Sequence, residues 1–138
     1  MTAAPPLRIG VAGLGVVGSA SLRAFVDRAD LLAARAGRRL EVVGVCARNR
    51  GADRGVDLSP FVWFDDPVAL ATAPDVDLFV ELIGGSSGPA LDACQAALAA
   101  GRDVFTANKA MLAELGGALA AAAAASGAAL KYEAAVAG

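Results

Sequence analysis

No histidine occurs anywhere in the 138 residues of this chain. That absence removes Ser-His and Cys-His nucleophile pairs, the usual zinc sites and histidine as a general acid or base from this segment. Proton transfer within it falls to lysine, a carboxyl group, tyrosine or water. Aromatic residues are scarce, at 5%, which speaks against an aromatic-rich β-sandwich. Dense basic runs are missing and the net charge is −2, so nucleic acid is not an expected partner. The opening Met1-Thr2-Ala3-Ala4-Pro5-Pro6 lacks the basic-then-apolar pattern of a signal peptide and reads as a frayed tail, residues 1–6. The longest uncharged stretch, Leu115 to Leu130, is mostly alanine with three glycines and a serine. It falls short of the ~20 strongly apolar residues of a membrane span. Two cysteines, Cys46 and Cys94, lie far apart with no C-x-x-C spacing. Each is expected to be a buried, reduced thiol, which fits a cytoplasmic location.

What the chain has in plenty is small and branched aliphatic residues, with hydrophobic types at 57%. That composition suits a sheet packed on both faces by Ala, Val and Leu. The length allows one domain with a real core and is too short for two ordinary ones. Strands are expected at 7–12, Leu40–Cys46, Phe61–Phe64, Val76–Leu82, Asp103–Thr106 and Ala128–Val136. One helix is expected from about Val16 to Ala36, capped by Gly37, and a brief one from Pro67 to Ala73 behind an Asp65-Asp66 cap. Two more run from Pro89 to Ala100 and from an Asn108 cap to about Ser126. Residues 49–60, rich in Gly, Asp and Arg, read as an exposed loop. Short strands alternating with helices predict an α/β, Rossmann-type doubly wound domain over 7–138, its sheet mainly parallel with helices on both faces.

The most informative stretch is Gly13-Leu14-Gly15-Val16-Val17-Gly18, which follows the first strand directly. In a G-x-G-x-x-G corner the first glycine permits the tight turn. The second lets a pyrophosphate reach the backbone, and the third lets the helix pack close to the strand. Free N–H groups and the positive dipole end at the helix start make an anion site. Ligands of open parallel sheets bind beyond the carboxyl ends of the strands, where four tips of this chain converge: 13–18, 46–50, 83–87 and 106–109. At the second tip, where NAD-preferring sites usually carry Asp or Glu, stands Ala47-Arg48-Asn49-Arg50. Arg48 can pair with a 2′-phosphate, so NADP is favoured or tolerated; the alternative is a solvated loop charge. Lys109 follows Asn108, one turn into a helix whose start faces the cleft. The dipole disfavours a cation there, which leaves a solvated lysine or one held to meet a substrate oxygen and stabilise alkoxide character during hydride transfer. Glu81 and Glu133 stand in or at the end of strands, where an unpaired buried charge is costly.

Together, Gly13-Leu14-Gly15-Val16-Val17-Gly18-Ser19, Glu81-Leu82-Ile83-Gly84-Gly85, Thr106-Ala107-Asn108-Lys109-Ala110 and Tyr132-Glu133-Ala134-Ala135-Val136-Ala137-Gly138 resemble homoserine dehydrogenase, in order and over nearly the whole chain. The resemblance implies interconversion of L-homoserine and L-aspartate 4-semialdehyde with NADP or NAD, in the route to threonine, methionine and isoleucine. It implies cofactor contacts at Leu14, Val16, Val17, Ile83 and Gly84, with Thr106 and Ala107 along the same cleft. It matches Lys109 to one of two lysines near the reacting hydroxyl, and Glu133, Val136 and Gly138 to a monovalent cation site, usually sodium. The substrate and dimerisation domain, which the resemblance places after Gly138, is expected to be absent here. The segment alone is therefore expected to bind cofactor without turnover, and to dimerise only with that domain. A non-catalytic dinucleotide-sensing module and the first domain of another amino-acid dehydrogenase are the alternatives.

Overall fold

The computed structural model describes residues 4–85 and 87–132. Six strands, β1 (Leu7–Ala12), β2 (Leu40–Cys46), β3 (Val62–Phe64), β4 (Leu78–Glu81), β5 (Asp103–Thr106) and β6 (Leu130–Tyr132), form one sheet. Its order is β3-β2-β1-β4-β5-β6, and every neighbouring pair is parallel. The chain steps outward twice from β1, then returns to the other side of β1 and steps outward again. The expected doubly wound α/β sheet is thus present, and its order reverses between β1 and β4.

The connections cover the two faces separately, as right-handed crossovers in opposite directions require. Helices α1 (Val16–Asp27) and α2 (Ala29–Ala36) precede β2, while α3 (Pro67–Ala71), α4 (Pro89–Ala99) and α5 (Lys109–Ser126) follow β3, β4 and β5. Alternate strand residues feed two cores. Val11, Val45 and Val80 pack with Leu22 of α1. Ala12, Cys46, Phe79 and Val104 pack with Leu70, Leu98 and Met111 of the other three helices. No helix links β2 to β3. Val56, Leu58 and Phe61 of that long loop pack on the α1 side instead.

The helix expected over 16–36 is broken. Arg28 leaves helical geometry at φ −117°, ψ 29° and separates α1 from α2. Asp30 then falls in the first turn of α2 and Arg35 in its last, the placement that both ends of a helix dipole favour. The last strand ends its described part at Tyr132, since residues 133–138 lie outside the described set. Among the described residues, no helix is long and apolar enough to cross a membrane.

The edge of the sheet opposite the convergent tips is held by charge. Asp77 accepts from the Arg8 backbone N–H at 2.9 Å and from its guanidinium at 3.1 and 3.2 Å. The hydrogen bonds and charge of Arg8 hold the Asp77 carboxyl below its usual range. A carboxyl lowered in the folded state stabilises the fold above its unfolded pKa, near ~3.9, and loses that contribution as the pH falls through the folded value. Asp77→Asn is therefore expected to lower the urea midpoint at neutral pH. In strong acid, where both proteins carry a neutral group, the two midpoints should converge; a gap of unchanged size there would exclude the ion pair as its source.

Candidate functional site

The glycine corner sits at the strand-order reversal. Gly13 has φ +95°, a left-handed conformation that favours glycine, and a Cβ there would lie 2.4 Å from the Leu82 carbonyl carbon on β4's exit. Gly18 lies against the strand so tightly that its Cβ would meet the Gly13 oxygen at 1.8 Å. Gly15 is different. Among the described residues, its chain neighbours aside, its Cβ would meet no atom within 4 Å, so packing there gives no reason for glycine. The space above it is a cradle that a side chain would fill. Gly15 is also the N-cap of α1, with no side-chain cap and no acidic residue in the first turn, which leaves the helix-start N–H groups for an anion. These are the features a diphosphate needs.

A cleft of about 580 Å³ opens beside this corner, walled by Gly13, Leu14 and Gly15 on one side and Ala47, Arg48, Asn49 and Arg54 on the other. Ile83 also lines it, as do Cys46 and Asp65. Arg48 thus stands where the sequence pattern put it, at the end of β2 against the glycine corner. Arg54 is the member that local pattern missed. Its guanidinium donates to the carbonyls of Leu14, Ala52 and Asn49, pinning the β2–β3 loop to the glycine turn. Leu14 lies 40 positions away, so no spacing rule reveals the contact. Burial, reinforced by Asp66 and Asp65, pushes the Cys46 thiol up. Burial, with a smaller contribution from Glu81, pushes the Cys94 thiol up to about 12. Both are free and buried, as expected.

A second, smaller cleft of about 170 Å³ continues past the switch point, lined by Val17, Glu81, Leu82, Gly84, Ala107 and Asn108. Val16 and Val17 are 90% and 62% exposed, leaving the first turn of α1 open to a ligand. Glu81 is fully buried, and three donors converge on it: Ile83 N–H at 2.7 Å, Gly84 N–H at 3.1 Å and Thr106 Oγ1 at 2.5 Å. That answers the cost of burying a carboxylate. Thr106 is fully buried as well. Its hydroxyl lies behind the cleft, facing Glu81, whereas the expectation had it along the cleft itself.

Asn108 caps α5 by accepting from Met111 N–H at 3.1 Å. Lys109 is the first residue of α5, not one turn in, and is exposed beside the cleft-lining Asn108. Among the described residues, no group of three or more His, Cys, Asp or Glu is gathered to hold a metal ion. The cation contacts expected at Glu133, Val136 and Gly138 lie outside the described residues.

A parallel sheet with this strand order, a glycine corner at its reversal point and a long cleft across the strand ends defines a dinucleotide-binding domain. The comparisons narrow the class. The chain belongs to the family of the homoserine dehydrogenase NAD-binding domain, whose model matches residues 13–133. It is 42% identical to homoserine dehydrogenase of Mycobacterium tuberculosis over 133 residues, covering 96% of this chain and 30% of that protein. With the Corynebacterium glutamicum enzyme it shares 40% over 136 residues, again 30% of the relative's length. The crystal structure of a homoserine dehydrogenase from Thiobacillus denitrificans superposes with a TM-score of 0.85 at 34% identity, covering 94% of this chain and 30% of that one. The chain thus spans about 30% of the length of these relatives.

Proposed function

We propose that the chain is the cofactor-holding part of an enzyme that interconverts L-homoserine and L-aspartate 4-semialdehyde. The observation that carries the cofactor half of this reading is the glycine at the helix start: Gly15 has room above it that no atom of the described residues uses. The diphosphate of NADP or NAD would take that room against the first N–H groups of α1. Leu14, Val16 and Val17 would offer backbone contacts, Arg48 would meet the adenosine end, and Ile83, Gly84 and Ala107 would flank the nicotinamide. The dinucleotide, when bound, supplies the hydride acceptor or donor. Lys109 then acts from the start of α5 as a fixed cation on the substrate oxygen, stabilising alkoxide character.

The substrate half rests on family membership. On this reading the enzyme serves the threonine, methionine and isoleucine route, acts on a small-molecule substrate in the cytoplasm, and has no nucleic-acid or membrane partner. A monovalent cation, usually sodium, at Glu133, Val136 and Gly138 is part of the same proposal. The remaining substrate contacts and the homodimer would belong to the part of the relatives' length that these 138 residues do not match.

A titration calorimeter tests the reading directly. The 138-residue chain should bind both NADPH and NADH and should not turn over homoserine with NADP. Arg48→Asp should weaken NADPH by about 10- to 100-fold, the scale of a lost charge-assisted bond, and change NADH little. Equal effects on the two cofactors would remove Arg48 from the 2′-phosphate. Robust turnover by the chain alone would refute the division of labour, and indifference to both nucleotides would end the cofactor reading.

A further inference from the structure

The buried polar groups behind the smaller cleft form a closed circuit rather than separate caps. Glu81, the last residue of β4, takes the N–H groups of Ile83 and Gly84 on one carboxylate oxygen. Its other oxygen takes the hydroxyl of Thr106, the last residue of β5. The Thr106 oxygen in turn accepts from Asn108 N–H at 3.0 Å. Asn108 completes the circuit by donating its side-chain amide to the Gly85 carbonyl. Helix capping by Asn108 needs only its oxygen, and burial of Glu81 needs only the nearest donors. The Asn108-to-Gly85 bond serves neither purpose. It ties the tip that follows β4 to the tip that precedes α5, and those tips are opposite walls of one cleft.

Resting on the cofactor-binding reading above, we propose that Glu81, Thr106 and Asn108 are positioning residues: their circuit sets the gap between the two tips that flank the nicotinamide end. The adenosine end is walled mainly by the glycine corner and the β2–β3 loop, and Glu81, Thr106 and Asn108 do not line it; Ile83, which does, joins the circuit only through its backbone N–H. The side chains of the three positioning residues thus bear on the nicotinamide half and not on the walls of the adenosine half. A change in the circuit should be felt by the nicotinamide half only. A general structural role would weaken both halves together.

Asn108→Ser separates the two roles of that side chain. Serine is as good an N-cap as asparagine but is too short to reach Gly85, so α5 keeps its start while the tie between the tips is lost. Thr106→Val removes the hydroxyl relay at nearly constant shape, and Thr106→Ser restores it. Affinity for NADPH is compared with affinity for adenosine 2′,5′-bisphosphate, which fills the adenosine end alone. Asn108→Ser and Thr106→Val should each weaken NADPH about tenfold and leave the bisphosphate within about twofold, and Thr106→Ser should return NADPH binding to that of the unaltered chain. Parallel losses for both ligands, no loss for NADPH, or failure of Thr106→Ser to rescue would each overturn the proposal. If the unaltered chain bound neither ligand, the cofactor reading itself would fall and take the proposal with it.

Discussion

Gly18→Ala is expected to lower the unfolding free energy by about 3 kcal/mol or more, measured by urea denaturation. Helix propensity alone predicts the opposite sign, because alanine in a helix interior is favoured over glycine by about 1 kcal/mol. The contact overrides it. The new methyl carbon would sit 1.8 Å from the Gly13 oxygen and 2.7 Å from its carbonyl carbon. Those are backbone atoms of the corner, and Gly13 is itself wedged against the Leu82 carbonyl. Neither can retreat without pushing β4's exit, so relief must come from lifting α1 off the sheet. That movement opens the core where Leu22 packs on Val11, Val45 and Val80. Gly117 in α5 is the internal control, since among the described residues a Cβ there meets nothing within 4 Å beyond its own helix backbone. Gly117→Ala should gain about 0.5–1 kcal/mol. Two glycine-to-alanine changes inside helices, with opposite signs, isolate the close packing at the corner. A stabilised Gly18→Ala would mean that α1 does not approach the strand as closely as described.

How well the sequence foretold this arrangement depends on the range of the interactions involved. β2 and β5 fall on their expected bounds, because each is an apolar run closed on both sides by turn residues. The convergence of four tips follows from strand polarity alone, and Arg48 follows because it stands two residues past the end of β2. Features set by contacts distant in sequence were not legible. Arg54 reaches back 40 positions to Leu14, and Thr106 meets Glu81 across 25, so no local pattern shows which way the Thr106 hydroxyl points. Glu81 reads as a charge at the end of a strand; two of its donors, Ile83 and Gly84, are its near neighbours in sequence, and only the third, Thr106, is brought to it by the fold. The break at Arg28 is local, yet it escaped for a different reason: α2 buries none of its residues. Apolar periodicity therefore carries no instruction about where the first helix stops.

The same corner yields a change that acts on binding without harming the fold. In Gly15→Asp the new side chain enters open space, and the backbone at φ −74°, ψ −154° is extended and accessible to any residue. Position 15 is the N-cap of α1, which now has neither a side-chain cap nor an acidic residue in its first turn. An aspartate there accepts from the first-turn N–H groups and suits the dipole, so stability should hold or rise by a few tenths to about 1 kcal/mol. The carboxylate would use the donors and the volume that the cofactor's diphosphate needs, and would add like-charge repulsion. NADPH affinity should fall at least about a hundredfold, some 2.7 kcal/mol. Urea unfolding and NADPH titration on the same preparation read the two effects separately. The cradle assignment requires opposite movements of stability and affinity. Undiminished NADPH binding by a stably folded Gly15→Asp protein would show that the anion sits elsewhere. Loss of both would show that Gly15 serves the fold, contrary to the free space above it.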